Sequence, residues 1–365
     1  MKQILLVTLV ILLLAGCAAA PAQETTEAPA PTETPASIEA PASTEAPAPT
    51  ETTAPTEPPE VHYTLSFVGD CTLGTNPIHA WDGYGFTHVV GEDYGYPFRN
   101  VLSYFEEDEA TFANLEGPLS EVGSPADKKH TFRGPERYVN ILSENSVEFV
   151  SLANNHAQDY GPEAYESTRR VLTEAAIPFS ERDSSTVFTT KNGLTIGVYA
   201  AVYYKIDRAA MEAAIRELSQ QVDLVIFAPH WGVEGTYRPN EEQQTLAHAA
   251  IDAGARIVWG HHPHVLQKME QYGEGIICYS LGNFSFGGNI YPLDFDTAIV
   301  RIEVIRDGEG SLRFGEISAV PCSISSMEKR NNYQPTPYAP DSPEWARVVS
   351  KLDGSFEGRN LPIVN

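Results

Sequence analysis

Half of the ten histidines in this chain stand in short polar clusters, each placed directly after a run of apolar residues. The run 147–153 ends in Asn154-Asn155-His156, the run 223–229 ends in His230, and the run 255–259 ends in Gly260-His261-His262-Pro263-His264. Carboxylates and amides hold equivalent places: Asp70 after 62–68, Glu116 after 111–115, and Asn283 after 275–281. Imidazole nitrogen with carboxylate and amide oxygen, and no thiolate among them, is a donor set for a borderline or hard divalent ion such as Zn²⁺, Mn²⁺ or Fe²⁺. One isolated histidine more often ends as a hydrogen-bonded core residue. Three clusters at comparable places, joined by carboxylates, point instead to a shared cation. His262 and His264, one residue apart, can aim both rings at one locus. Asp159 and Glu234 are candidates for orienting these imidazoles from behind. Cys71, beside Asp70, reads as a small buried residue; neither a Gly-x-Ser-x-Gly elbow nor a phosphate-cradling P-loop is present.

Such clusters need elements that bring their ends together. The apolar runs have the length of buried strands, and stretches with helical spacing separate them: 162–176, 207–221 and 239–253, the last closed by Gly254. Strand–helix alternation predicts an α/β architecture with much parallel sheet. In such sheets ligand sites gather beyond the carboxyl ends of the strands, where these polar clusters lie. From 297 to 305 and from 311 to 320 the alternation is that of antiparallel strands closing the sheet. Residues 326–365 read as an irregular, proline-bearing tail.

The 365 residues carry 49 Asp and Glu against 24 Lys and Arg, a formal charge of −25. Nucleic-acid phosphates and anionic lipid headgroups repel such a chain, which argues against sequence-independent binding to either. With 42% hydrophobic residues a full core is available, and four cysteines are too few for a disulfide scaffold; at most Cys278 and Cys322 would pair. Residues 1–16 combine one Lys, an apolar stretch too short to span a bilayer, and small residues at its end, the pattern of a secretory signal. Leu14-Ala15-Gly16-Cys17 resembles the bacterial lipobox. It predicts lipidation at Cys17 and an extracytoplasmic protein anchored to the bacterial cell membrane by its acyl chains. Residues 17–60, dominated by Pro, Thr, Ala and Glu, cannot bury enough surface to offset chain entropy and are predicted to form a disordered, extended linker. The folded part is expected over 61–325.

Six motifs in order carry a family resemblance. They are Phe67-Val-Gly-Asp70-Cys-Thr-Leu-Gly74, Asn114-Leu-Glu116-Gly-Pro118, Leu152-Ala-Asn-Asn-His156-Ala-Gln-Asp159-Tyr-Gly161, His230-Trp-Gly-Val-Glu234, Gly260-His-His-Pro-His264 and Ser280-Leu-Gly-Asn283-Phe284. Together they resemble the CapA family of poly-γ-glutamate capsule synthesis proteins, a branch similar to the calcineurin-like metallophosphoesterases. The resemblance implies a metallophosphoesterase-like two-sheet sandwich flanked by helices (α-β-β-α). It implies a divalent metal, one or two ions of Mn, Zn or Fe, held by Asp70, Glu116, Asn155, His230, His262 and His264. His156 is the implied proton donor or oxyanion stabiliser; Asp159 is placed with it in the catalytic set, and Asn154, Glu234, His261, Asn283 and Arg133 are expected against substrate or behind the ligands. Thr72 stands where the metallophosphoesterases carry a histidine, and Glu116 where they carry a bridging aspartate, which implies a weakened metal position. The basic run Lys128-Lys129-His130, with Arg133 and Arg137, reads first as a solvated turn and second as a positive focus for an anionic ligand.

These readings lead to a surface lipoprotein acting in the synthesis or export of poly-γ-glutamate, or of a related anionic envelope polymer, through a metal-dependent site; whether the site hydrolyses anything stays open. One alternative is an extracellular metal-dependent phosphoesterase, and another a non-catalytic polymer-binding module whose metal site has degenerated. Expected partners are an anionic polymer or phosphoester, the membrane through the lipid anchor only, and capsule-synthesis membrane proteins. Nucleic acid is not among them.

Overall fold

The computed structural model describes residues 59–79, 83–202 and 206–362. The expected signal peptide, the lipidated Cys17 and the linker as far as residue 58 lie outside these residues. The strands in chain order are β1 (Val61–Thr72), β2 (Ala110–Leu115), β3 (Phe149–Ser151), β4 (Phe179–Ser180), β5 (Ser184–Thr189), β6 (Thr195–Val202) and β7 (Leu224–His230). They continue with β8 (Ile257–Trp259), β9 (Met269–Tyr272), β10 (Gly275–Cys278), β11 (Asn283–Phe286), β12 (Asp296–Arg306), β13 (Leu312–Ser323) and β14 (Thr336–Pro337).

Two sheets result. The first runs β14-β13-β12-β1-β2-β3-β4, with β11 parallel to the carboxyl end of β1; the second runs β5-β6-β7-β8-β10-β9. β1 through β4 are parallel to one another, as are β6, β7, β8 and β10, while β12, β13 and β14 on one side and the edge strands β5 and β9 on the other pair antiparallel. Period-two alternation decides which side chains each strand sends where. In β7, Leu224, Ile226 and Ala228 enter the core between the sheets, and Val225 and Phe227 turn to the outer face. Facing them from the first sheet are Tyr63, Leu65 and Phe67 of β1, Phe112 of β2, and Val300 and Ile302 of β12.

Helices cover both outer faces. Helix Gly161–Glu174 and three short helices (Phe86–Val90, Leu102–Glu106, Val139–Ser143) cover the first sheet, burying Val171, Leu172, Phe86 and Ile141 against Val68, Ala113 and Val150. Helices Arg208–Leu218 and Glu241–Asp252 cover the second with Met211, Ile215, Ala247 and Ala250. Their starts are set by side-chain caps. Asp207 accepts the Ala210 amide hydrogen at 3.1 Å, and Asn240 and Gln243 form a reciprocal capping box at 2.8 and 3.0 Å. The layer order is α-β-β-α, as the family resemblance implies.

One expectation is corrected and one open possibility is closed. Residues 326–365 are not irregular throughout: they contain β14 and a helix, Pro343–Leu352, begun by Ser342, whose hydroxyl accepts the Trp345 amide hydrogen at 3.1 Å. That helix buries Val348 and Leu352 against Leu266 and Ala298, burial that the surrounding prolines obscured in the sequence pattern. Cys278 and Cys322 are free thiols in different clusters, one between the sheets and one beneath the outer helices of the first sheet, so no bridge joins them. Among the described residues no helix is long and apolar enough to cross a membrane.

Candidate metal centre

The carboxyl ends of β1, β2 and β3 in one sheet and of β7 and β8 in the other meet at a single rim. Just beneath it the indole of Trp259 donates to the Val68 carbonyl at 2.9 Å, tying the two sheets together. β1 reaches the rim through a register shift between Phe67 and Asp70 against β2, a bulge of the kind that re-aims a side chain. Its backbone passes so close to Gly282 that a Cβ at Gly69 would collide with the Gly282 carbonyl; the Asp70 amide donates to that same oxygen at 2.8 Å. After β8 the chain turns sharply, with His262 at φ 94° and His264 at φ 56°. Non-glycine residues held there cost on the order of 1–3 kcal/mol each, and the turn brings both rings to one locus.

Glu116 is the centre of the arrangement. Its Oε1 stands 3.8 Å from His156 Nε2, 3.8 Å from His264 Nε2 and 3.9 Å from His230 Nε2. Both of its carboxylate oxygens are buried without a hydrogen-bond partner. Asn155 Oδ1 lies 2.7 Å from His230 Nε2, and His262 Nδ1 lies 3.1 Å from the same nitrogen. Asp70 is fully engaged. Its Oδ1 accepts from Asn114 Nδ2 at 2.8 Å and lies 3.3 Å from His261 Nδ1; its Oδ2 lies 3.2 Å from His264 Nδ1 and 3.4 Å from the His262 amide nitrogen. Asn283 Oδ1 accepts from His264 Nδ1 at 2.8 Å, leaving His264 Nε2 directed at Glu116.

Burial dominates the electrostatics. It pushes the Glu116 carboxyl well above the usual range, with the neighbouring Asp70 charge adding to the effect. Burial opposes ionisation of Asp70 too, but the imidazoles of His261 and His264 hold it well below the usual range. Desolvation lowers His230 well below an ordinary imidazole and, with the positive neighbour His264, takes His262 down to about 3. His264 moves the other way, to about 10, because Glu116 and Asp70 outweigh its burial. His156 is lowered by burial and partly restored by Asp159.

These residues fit a divalent cation. Metal–ligand bonds of about 2.0–2.2 Å place neighbouring donors roughly 3–4 Å apart, the spacing seen around Glu116 Oε1. A buried carboxylate with no hydrogen bond to either oxygen is costly, and the imidazoles at 3.8–3.9 Å stand too far off to supply one. Asp70, Glu116 and His264 form one donor group that could hold an ion, and Glu234, His262 and His264 form another.

The sequence-derived residues mostly converge. Asp70, Glu116, Asn155, His156, His230, His262 and His264 share the rim. Asp159 accepts from His156 Nδ1 at 2.8 Å. Asn154 stands behind the cluster, donating to Asn114 Oδ1 at 3.1 Å and the Leu115 carbonyl at 2.9 Å while accepting the His156 amide hydrogen at 3.0 Å. His261 is turned behind Asp70, edge-on to the Trp259 ring at 4.3 Å. Arg133 is a correction: its guanidinium lies 4.2 Å over the Tyr160 ring and reaches the Val122 carbonyl, and it lines no part of the cleft at the cluster. The cation beside the cluster, outside the cleft lining, is Lys128, ion-paired with Asp159, donating to the Asn155 carbonyl at 3.0 Å and lying 3.4 Å from His156 Nδ1. Nothing in the sequence distinguishes Lys128 from Lys129. Asn114 was missed, although its position two residues before Glu116 at a strand end was a usable signal.

A family model described as "Bacterial capsule synthesis protein PGA_cap" matches residues 64–288. The chain is 29% identical over 325 residues to the capsule biosynthesis protein CapA of Bacillus anthracis, covering 80% of this chain and 77% of that protein. It is 28% identical over 297 residues to the PGA biosynthesis protein CapA of Bacillus subtilis, covering 75% and 76%. Among solved structures, the Haemophilus influenzae NAD nucleotidase superimposes with a TM-score of 0.42 at 12% identity over 82% of this chain; the chain spans 63% of that one, less than two thirds of its length. The family match runs from within β1 through β11, and takes in Asp70, Glu116, Asn155, His156, His230, His262 and His264: the chain belongs to the bacterial capsule synthesis family PGA_cap.

Proposed function

We propose that this chain is a surface lipoprotein acting in the synthesis or export of poly-γ-glutamate, or of a related anionic envelope polymer, through a metal-dependent site. Family membership supports the process. The lipobox at Cys17 supports an extracytoplasmic location by lipid anchor; capsule-synthesis membrane proteins would be the partners in that setting. The observation that carries the metal-dependent part is Glu116 Oε1, buried, without a hydrogen bond and faced by three imidazoles. Asp70, Glu116, Asn155, His230, His262 and His264 would hold one or two ions of Mn, Zn or Fe.

A divalent ion bound there would lower the pKa of water and neutralise charge developing on an oxygen under attack. The remaining work belongs to the chain's own side chains. Asp159 accepts from His156 Nδ1, which directs Nε2 into the site to hand a proton to a leaving oxygen. Lys128 pairs with the other Asp159 oxygen and braces the Asn155 carbonyl. Phe132 lies 4.2 Å from the His156 ring and keeps water off that face. Asn114 and His261 hold the Asp70 carboxylate in place from behind.

The test is replacement of His262 and His264 together by Ala in the producing cell. Surface polymer should fall; unchanged polymer, with the protein still folded and exported, would remove the reading. An extracellular phosphoesterase is the second reading, favoured by the His156–Asp159–Lys128 arrangement, which gripping a polymer does not require. Turnover of a chromogenic phosphoester that disappears in His156→Ala would select it; bound metal without turnover would select polymer handling. A binding module with a degenerate site, suggested by Thr72, calls for no stoichiometric metal.

A further inference from the structure

We propose that the cleft opening onto the cluster takes an amphipathic phosphoester, with one phosphate at the cluster and an alkyl or acyl body along an apolar wall. The proposal rests on the reading of the cluster as a metal centre and names the ligand class of that site. The cleft has a volume of about 350 Å³ and reaches His156, Glu234 and His264 at its inner end. Phe132 and Phe286, edge to face with ring centres 5.8 Å apart, line it nearest the cluster. Ile78, Leu293 and Leu361 carry the apolar surface outward. Ile78 and Leu293 are 54% and 62% exposed, a cost in water that an apolar ligand would remove.

Charge decides between this ligand and the polymer. Among the described residues no Lys or Arg lines the cleft; its polar groups are imidazoles, amides and the carboxylates of Glu234 and Asp294. Asp294 is already held by Lys351 at 2.6 Å and by the Tyr237 hydroxyl at 2.8 Å. Poly-γ-glutamate presents a carboxylate on every residue, and among the described residues no Lys or Arg stands along this wall to pair with them in a chain of net charge −25. A single anionic head, met at the inner end, with an uncharged body behind it, is what charge complementarity allows.

The wall is preformed. The Leu361 amide donates to the Gly235 carbonyl at 2.9 Å, and Asn360 Oδ1 accepts the Tyr237 amide hydrogen at 3.1 Å. Gly235, at φ 70°, follows Glu234 directly, and a Cβ there would stand 3.0 Å from that of Leu361. The carboxyl-terminal segment therefore seals one side of the cleft at a point beyond the family match.

The test uses the full chain loaded with Mn²⁺. Bound metal is measured first, and the protein is then titrated calorimetrically with methyl-, butyl- and hexylphosphonate, which resist hydrolysis, and with tri-γ-glutamate. Affinity should rise about fourfold per methylene from methyl to butyl. Leu293→Ser and Leu361→Ser should each flatten that rise while keeping metal content, and tri-γ-glutamate should bind more weakly than butylphosphonate. With metal bound, an affinity independent of chain length, a slope unchanged in both variants, or tri-γ-glutamate binding as tightly as butylphosphonate overturns the proposal alone. Absence of bound metal sinks the metal reading itself and this proposal with it.

Discussion

Asn155 Oδ1 lies 2.7 Å from His230 Nε2, joining the loop after β3 in the first sheet to the last residue of β7 in the second. The two residues are 75 positions apart, and nothing local holds them together. The contact places the candidate centre on the seam of the sandwich. The cluster therefore exists only when the inter-sheet core has closed, and charge stored at the seam bears on the stability of the whole fold.

Glu116→Gln should have opposite effects with and without metal. In metal-free protein at pH 8 the variant should be more stable by about 1–3 kcal/mol, because burial and Asp70 disfavour an ionised Glu116. With Mn²⁺ in large excess the wild type should gain ~3 kcal/mol or more, and the variant much less. Thermal unfolding of both proteins, with chelator and with Mn²⁺, checks this. Equal gains in the two proteins would mean that the carboxylate meets no cation.

On a chromogenic phosphoester, His156→Ala should lower kcat by about 10²–10⁴-fold if the site hydrolyses. Asp159→Asn should fall between this variant and wild type, since the ring survives while its Nδ1 partner and the Lys128 ion pair change. Metal content measured alongside should be unchanged in both. A loss of metal in His156→Ala would move that residue into the ligand set.

At the opposite end of the first sheet, burial raises the Asp108 carboxyl to about 7, against the hydrogen bond donated by the Thr111 hydroxyl at 2.8 Å. A carboxyl whose pKa is higher folded than unfolded contributes stability below its unfolded pKa, near 4, and loses it as pH rises toward 7. Asp108→Asn should remove that decline. Urea denaturation at pH 5 and pH 8 should show the variant gaining on wild type toward the higher pH, by up to about 2.5 kcal/mol. Parallel profiles would exclude this account.

Lys351 is buried between Asp294 at 2.6 Å and Asp296 at 2.7 Å, with Arg347 paired to Asp296 at 2.7 Å. Lys351→Met should destabilise by about 3–5 kcal/mol by leaving buried carboxylate charge uncompensated. Arg347→Met, whose guanidinium is partly exposed, should cost less. Denaturant midpoints of the two variants decide it; a larger loss for Arg347→Met would relocate the anchor of the carboxyl-terminal helix.

What the sequence by itself determined was membership of the site. Apolar runs ending in polar clusters identified the strand ends that carry Asp70, Glu116, Asn155, His156, His230, His262 and His264, because alternation and strand length are local properties that survive in the linear chain. β6 escaped notice for the same reason: its run ends in no polar cluster, although it is an inner strand of the second sheet. Tertiary structure alone decided the contacts. It turned His261 behind Asp70 while His262 and His264 face inward, a choice made by the backbone at φ 94° and 56°. It brought Lys128 rather than Arg133 to Asp159, and drew Leu361 in to wall the cleft. These are meetings of residues far apart in the chain, set by how two twisted sheets and their loops close on one another, and no local pattern encodes such a distance.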